Sequence, residues 1–306
     1  MKIRTAILLA ITSVIMASAL SGRQAYQANT SLRTLSGSVA VEKARIYYDA
    51  AGKGDAVILI HGGLLTKEMW DGPFEKLAQR YRVVRYDARN HGLSRSEDTT
   101  FTHFADLKVL MDDLKISKAV LMGLSLGGKT AIDFALQYPD KINGLILVAP
   151  GLSGYEFHGP ENQAYDKKFN AAVESGDPGK MIETFMEAWT YGPHRRAEQV
   201  DPAVRDRVRN MAKISLKTWN SQTKEQVLSP PAITRLRDIK SPTLAIAGDI
   251  DMPNITEIVD LLEKNIPHFG KVVIPGAAHM VNLEKPKEFD RAVQNFLDTV
   301  YIKNPK

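Results

Sequence analysis

Short runs rich in Val, Ile and Leu recur along the chain, at positions 56–60, 82–86, 119–122, 144–149, 243–247 and 271–274. Their apolar residues are mostly consecutive rather than alternating, the pattern of strands covered on both faces. Between several of them lie amphipathic stretches of helical length, at 74–79, 103–114, 126–137 and 256–264. Strands of this kind alternating with helices predict an α/β fold, a mostly parallel sheet with helices on both faces. Upstream, positions 38–48 alternate as a leading hairpin would, and a last helix is predicted over 286–301.

Between 150 and 241 the strand rhythm stops. Apolar residues there recur at helical steps instead: Tyr165, Phe169 and Val173, then Met181, Phe185 and Trp189, then Val204, Val208 and Met211. This predicts a helical lid inserted between strands, and a lid over the carboxyl end of a sheet forms one wall of a pocket.

The amino end has a different pattern. Lys2 and Arg4 precede an apolar run over 6–20, broken by Thr12, Ser13 and Ser18, with Ala17 and Ala19 as an A-x-A pair. That is the order of a secretory signal, cut after Ala19 or, as second choice, after Ser21. The run is shorter than the ~20 apolar residues of a spanning helix, and an uncleaved anchor is the alternative. The expected organisation is a signal peptide at 1–19, a flexible segment at 20–37, a core at 38–150 and 241–302, and a lid at 151–240. The expected location is exported, periplasmic or secreted, with no stable membrane span after cleavage.

Composition narrows the function classes. The 306 residues are 44% hydrophobic and 25% charged, near the globular average. The net charge of +5 comes from scattered residues without a long Lys/Arg block, so no nucleic-acid partner is expected. Arg195, Arg196, Arg205, Arg207 and Arg209 form a loose basic cluster in the predicted lid, a solvated helix face or a contact for an anionic ligand. The absence of cysteine removes disulfides, thiolate catalysis and cysteine metal sites.

Candidate chemistry centres on Gly123-Leu124-Ser125-Leu126-Gly127-Gly128, which follows a predicted strand and opens a predicted helix. G-x-S-x-G in that setting is a nucleophile elbow, whose tight turn crowds the neighbouring backbone where glycines stand. A serine hydroxyl needs a base to take its proton and an acid to orient that base. Downstream, Gly248-Asp249-Ile250-Asp251 and Pro275-Gly276-Ala277-Ala278-His279 each follow a predicted strand. The order is Ser, Asp, His, with two aspartates competing for the acid role. His103, His158, His194 and His268 lack metal-ligand spacing and read as ordinary surface or lid residues.

From about 38 to 300 the chain resembles the α/β-hydrolase superfamily, serine-nucleophile branch. His61-Gly62-Gly63 with Trp70 resembles its HGx loop, and 87–94, Asp-Ala-Arg-Asn-His-Gly-Leu-Ser, its D-x-R-x-x-G-x-S segment, which implies that His61 and His91 are loop supports. Gly248-x-x-Asp251 resembles its acid turn, and His279 with Glu284-Lys285-Pro286 and Phe289 its histidine loop and following helix. The resemblance implies an eight-stranded type of sheet, the triad Ser125, Asp251 and His279, and an oxyanion hole from the N–H groups of Leu126 and Gly63, with Leu64 as fallback. It selects Asp251 over Asp249, which is left as a turn-capping carboxylate. Serine rather than a carboxylate nucleophile argues against the dehalogenase and epoxide hydrolase branches. Leu124 resembles the lactonase, esterase and cofactor-free haloperoxidase branches.

The implied activity is cleavage of an ester-type bond in a small molecule through an acyl-enzyme, without metal or organic cofactor. The alternatives are a non-hydrolytic binding protein on the same fold, or a perhydrolase-like activity.

Overall fold

The computed structural model describes residues 33–220 and 222–301. The chain divides into two units, Met1–Ser31 and Leu32–Lys306, and every described residue belongs to the second. The signal peptide expected at 1–19, and the flexible segment up to residue 32, therefore lie outside the described residues.

Eight strands form one sheet: β1 (Leu35–Val41), β2 (Ala44–Ala51), β3 (Ala56–Ile60), β4 (Arg82–Tyr86), β5 (Ala119–Leu124), β6 (Ile142–Val148), β7 (Thr243–Gly248) and β8 (Phe269–Ile274). Their order across the sheet is β1-β2-β4-β3-β5-β6-β7-β8. β2 pairs antiparallel with both its neighbours, and every pairing from β4 to β8 is parallel.

The consecutive apolar runs have a simple cause. Val57 and Leu59 of β3, Val120 and Met122 of β5, and Ile146 and Val148 of β6 point to one face of the sheet. The residues between them, Ile58, Leu121 and Leu147, point to the other. Both faces are covered, so no position in a central strand is free to be polar. On the first face lie α1 (Asp71–Leu77) and α9 (Pro286–Tyr301), whose Phe74, Leu77, Phe289 and Val293 join that core. On the second lie α2 (His103–Asp113), α3 (Leu126–Gln137) and α7 (Pro253–Asn265), through Leu107, Phe134 and Ile258.

Between β6 and β7 the chain forms α4 (Gly159–Glu174), α5 (Pro178–Phe185) and α6 (Pro202–Leu216). Asp177 and Asp201 cap α5 and α6, each followed by a proline whose missing N–H costs nothing in a first turn. α5 runs on into a π-helical stretch, Met186–Tyr191. One strand does occur in this region: Lys224–Glu225 pairs with Thr100–Phe101 outside the main sheet. At the other end β1 starts at Leu35, inside the stretch expected to be irregular to 37, because Leu35 to Gly37 pair in register with Tyr48 to Ala50. α8 (Val281–Glu284) follows the last strand and leads into α9. Among the described residues no helix is long and apolar enough to cross a membrane.

Candidate active site

Ser125 stands between the end of β5 and the first residue of α3, with φ 54° and ψ −110°. A positive φ is unfavourable for a residue with a Cβ and persists only where surroundings impose it. Here the imposition is explicit. The Ser125 N–H donates to the Val148 carbonyl at 3.0 Å, and its own carbonyl accepts from Lys129 at 2.9 Å and Gly151 at 3.0 Å. The flanking glycines admit that turn: a Cβ on Gly123 would sit 2.1 Å from the Gly127 carbonyl oxygen, and one on Gly127 2.1 Å from that of Ile60. The sequence run is therefore a steric requirement of β3, β5 and α3 meeting at one point.

Asp251 and His279 come from the loops after β7 and β8, neighbouring parallel strands. Gly248 lets the loops approach, since a Cβ there would lie 2.0 Å from the Ala277 carbonyl oxygen. His279 Nδ1 is 2.8 Å from Asp251 Oδ2, and both side chains are nearly inaccessible to solvent. Asp251 Oδ1 accepts the Met252 N–H at 2.7 Å, which fixes the carboxylate and leaves Oδ2 to the ring. Asp249 is exposed and accepts the Gly276 N–H at 2.6 Å, a turn support between the same two loops.

Ser125 and His279 line one cavity of about 230 Å³, together with Gly62, Gly63, Leu64 and Leu126. Leu126 is the first residue of α3, so its N–H has no preceding helical carbonyl to reach. A Cβ on Gly63 would meet no atom within 4 Å, so that wall of the cavity is open. Leu64 carries a positive φ of 54°. The inserted helices close the other side. Trp189 lies on the π-helical stretch with its ring 4.7 Å from that of His279, edge-on to Tyr165 at 5.5 Å, and Tyr165 stacks on Phe169 at 5.4 Å. A π-helical turn, wider than an α-turn, recurs where a helix must present a side chain to a site.

Sequence reading missed two connections. The aromatic spacing marked Tyr165, Phe169 and Trp189 as helical, but nothing in it tied Trp189 to His279. The second joins residues the sequence had quoted separately. Glu284 Oε1 accepts the N–H of Ala278, next to His279, at 2.9 Å, while Oε2 pairs with Arg195 at 2.7 Å. Arg195 also donates to the carbonyls of Tyr191 and Thr190. The π-helical stretch, Arg195, Glu284 and the histidine loop thus form a closed circuit.

Three of the four remaining arginines of the cluster stand beside separate acids, and the Nε of the fourth, Arg205, is buried without a hydrogen-bond partner. Arg207 pairs with Asp71 and Arg209 with Glu183, while Arg196 is exposed beside Glu198.

The segment resembling D-x-R-x-x-G-x-S is structural. The buried Asp87 carboxylate accepts the N–H groups of Lys67 and Leu93, Arg89 binds Asp106 through two nitrogens, and a Cβ on Gly92 would strike Asp87. His61 accepts the Ala88 N–H on Nε2, and burial lowers its pKa to about 4. His91 is held by the Arg89 carbonyl and lowered to about 4 chiefly by burial. His158, His194 and His268 are exposed. His103 corrects the sequence reading: it is buried, edge-on to Phe101, at the start of α2, where burial holds its pKa well below the ordinary value. Among the described residues no group of three or more His, Cys, Asp or Glu is placed to hold a metal ion.

The family model described as alpha/beta hydrolase fold matches residues 55–286. The chain is 29% identical over 273 residues to the putative 2-succinyl-6-hydroxy-2,4-cyclohexadiene-1-carboxylate synthase of Bacillus subtilis (strain 168), covering 83% of this chain and 96% of that one. It is 28% identical over 273 residues to the 2-hydroxy-6-oxo-6-phenylhexa-2,4-dienoate hydrolase of Burkholderia cepacia, covering 83% and 91%. Among solved structures, a hydrolase from Pseudomonas aeruginosa PA01 matches with a TM-score of 0.69 at 27% identity, covering 86% of this chain and 98% of that one.

Proposed function

Because the chain belongs to the alpha/beta hydrolase fold family, an enzyme family with hydrolases among its relatives, we propose that it is a serine hydrolase that cleaves a carboxylic ester-type bond through an acyl-enzyme. The bond is an ester, lactone or thioester of a small molecule. The observation that carries this reading is the 2.8 Å contact of His279 Nδ1 with Asp251 Oδ2, in a cavity that Ser125 lines beside His279.

With Nδ1–H held by Asp251, the other ring nitrogen is the free base. His279 takes the Ser125 proton as Oγ attacks the carbonyl carbon, and Asp251 stabilises the imidazolium. The oxyanion is held by the N–H groups of Leu126 and Gly63. As the bond from the carbonyl carbon to the leaving oxygen, or to sulfur in a thioester, breaks, His279 protonates that atom and Ser125 stays acylated. A water then gives its proton to His279 and attacks the acyl carbon, releasing the acid and restoring the Ser125 hydroxyl.

The likeness to a dienoate hydrolase favours one second reading, attack of the same serine on a ketone carbonyl with the proton delivered to a leaving carbon. Turnover of 4-nitrophenyl butyrate and labelling by a fluorophosphonate probe test the main reading. Ser125→Ala is expected to lower kcat by roughly 10⁴-fold or more and to abolish labelling. A wild-type protein that neither labels nor turns over any ester is a binding protein on this fold, and the reading is then wrong.

A further inference from the structure

The cavity beside Ser125 carries no formal charge of its own. Its walls are Leu64, Leu65, Leu124, Phe169, Phe185 and Met280, closed by Trp189 and Tyr165. Among the described residues that line it there is no Lys, Arg, Asp or Glu. None of the five arginines that could have served an anionic ligand lines it; Arg195, Arg207 and Arg209 are bound to Glu284, Asp71 and Glu183. Glu161, Lys168 and Glu187 of the inserted helices line a second cavity, of about 440 Å³, which has Tyr165 in common with the first. There Lys168 is paired with Glu187 at 2.8 Å.

A substrate carboxylate entering the first cavity would lose its hydration and find no countercharge, a penalty that pairing alone could offset. The polar groups that remain are uncharged: the N–H groups of Leu126 and Gly63, the Ser125 hydroxyl and the ring of His279 serve the reacting carbonyl, and the Tyr165 hydroxyl and Trp189 ring N–H offer hydrogen bonds but no countercharge. We propose that the enzyme's substrates are neutral, with an apolar group seated against Leu64, Phe169 and Phe185, and that compounds placing a carboxylate there are excluded. The proposal rests on the hydrolytic reading above.

Three esters of matched length test it on the full chain at pH 7: 4-nitrophenyl hexanoate, the 4-nitrophenyl half-ester of adipic acid, and the mixed 4-nitrophenyl methyl diester of adipic acid. Ser125→Ala supplies the background rate, and fluorophosphonate labelling reports the nucleophile independently. The two neutral esters are expected to agree within about tenfold in kcat/KM, with the free acid about 100-fold or more below them. A free acid within tenfold of hexanoate overturns the substrate class and leaves the hydrolase intact. Labelling without turnover of either neutral ester also overturns it. If labelling and turnover both fail, the hydrolytic reading itself is gone and this proposal with it.

Discussion

Gly127 has no side chain because the Ile60 carbonyl occupies the place where a Cβ would be. Gly127→Ala is therefore expected to cost about 1–3 kcal/mol or more, as overpacking does, and to lower the urea midpoint. An unchanged midpoint would show that the turn has room to relax. The two candidate acids differ just as sharply. Asp251 is buried against His279, whereas Asp249 is exposed and holds a turn, so Asp251→Asn should reduce kcat by roughly 10³-fold or more while Asp249→Asn stays near wild type. The reverse ranking would move the acid role to Asp249. Ser125 and His279 were legible in the sequence as candidates, because a strained turn and a loop end leave local glycine signatures, whereas Asp251 was selected over Asp249 only by the family resemblance. Trp189 was not legible, since its contact with His279 is made across 90 residues by packing alone.

Among the elements, the inserted helices matter most for what the residues do. Arg195 ties the π-helical stretch to Glu284, and Glu284 holds the N–H of Ala278. Gly192 brings the two parts together, since a Cβ there would lie 2.6 Å from the Ile250 carbonyl oxygen and 3.1 Å from the Ala278 side chain. Arg195→Met leaves Glu284 without its cation in a largely buried place and is expected to cost about 3 kcal/mol of stability. Because His279 sits on the loop so released, kcat should fall by roughly tenfold or more while KM changes less. Equal loss in kcat and KM would argue that Arg195 braces the cavity wall rather than the histidine. The helical character of this region followed from apolar spacing; the destination of each arginine did not, because spacing places charges on a face without naming what lies opposite.

For the molecule as a whole, acid should be destabilising through buried histidines. His61 takes up a proton near pH 6.5 when unfolded but only near pH 4 when folded, because burial penalises the cation. Between those values the unfolded chain holds more protons, so the His61 contribution is complete above pH 6.5 and falls by about 1.4 kcal/mol per pH unit toward pH 4. Asp133, raised by burial to about 6, acts in the opposite sense below that pH. The clean comparison is His61→Gln, less stable at pH 7, whose deficit should shrink as the pH falls from 6.5 to 4 in urea titrations; a constant deficit would refute the assignment. At the amino end, mass spectrometry of exported protein should find Leu20 or Gly22 first if the secretory reading of 1–19 is right, and an uncut chain would favour the anchor. By itself the sequence determined the α/β class, the central strands and, with Asp251 taken from the family resemblance, the three candidate chemical residues, because burial on both faces and tight turns restrict which residue types can stand at a position. Only the tertiary structure decided which walls enclose Ser125, that those walls are uncharged, and that Arg195 serves the histidine loop. These depend on which distant side chains meet across the inserted helices, and local pattern does not specify partners.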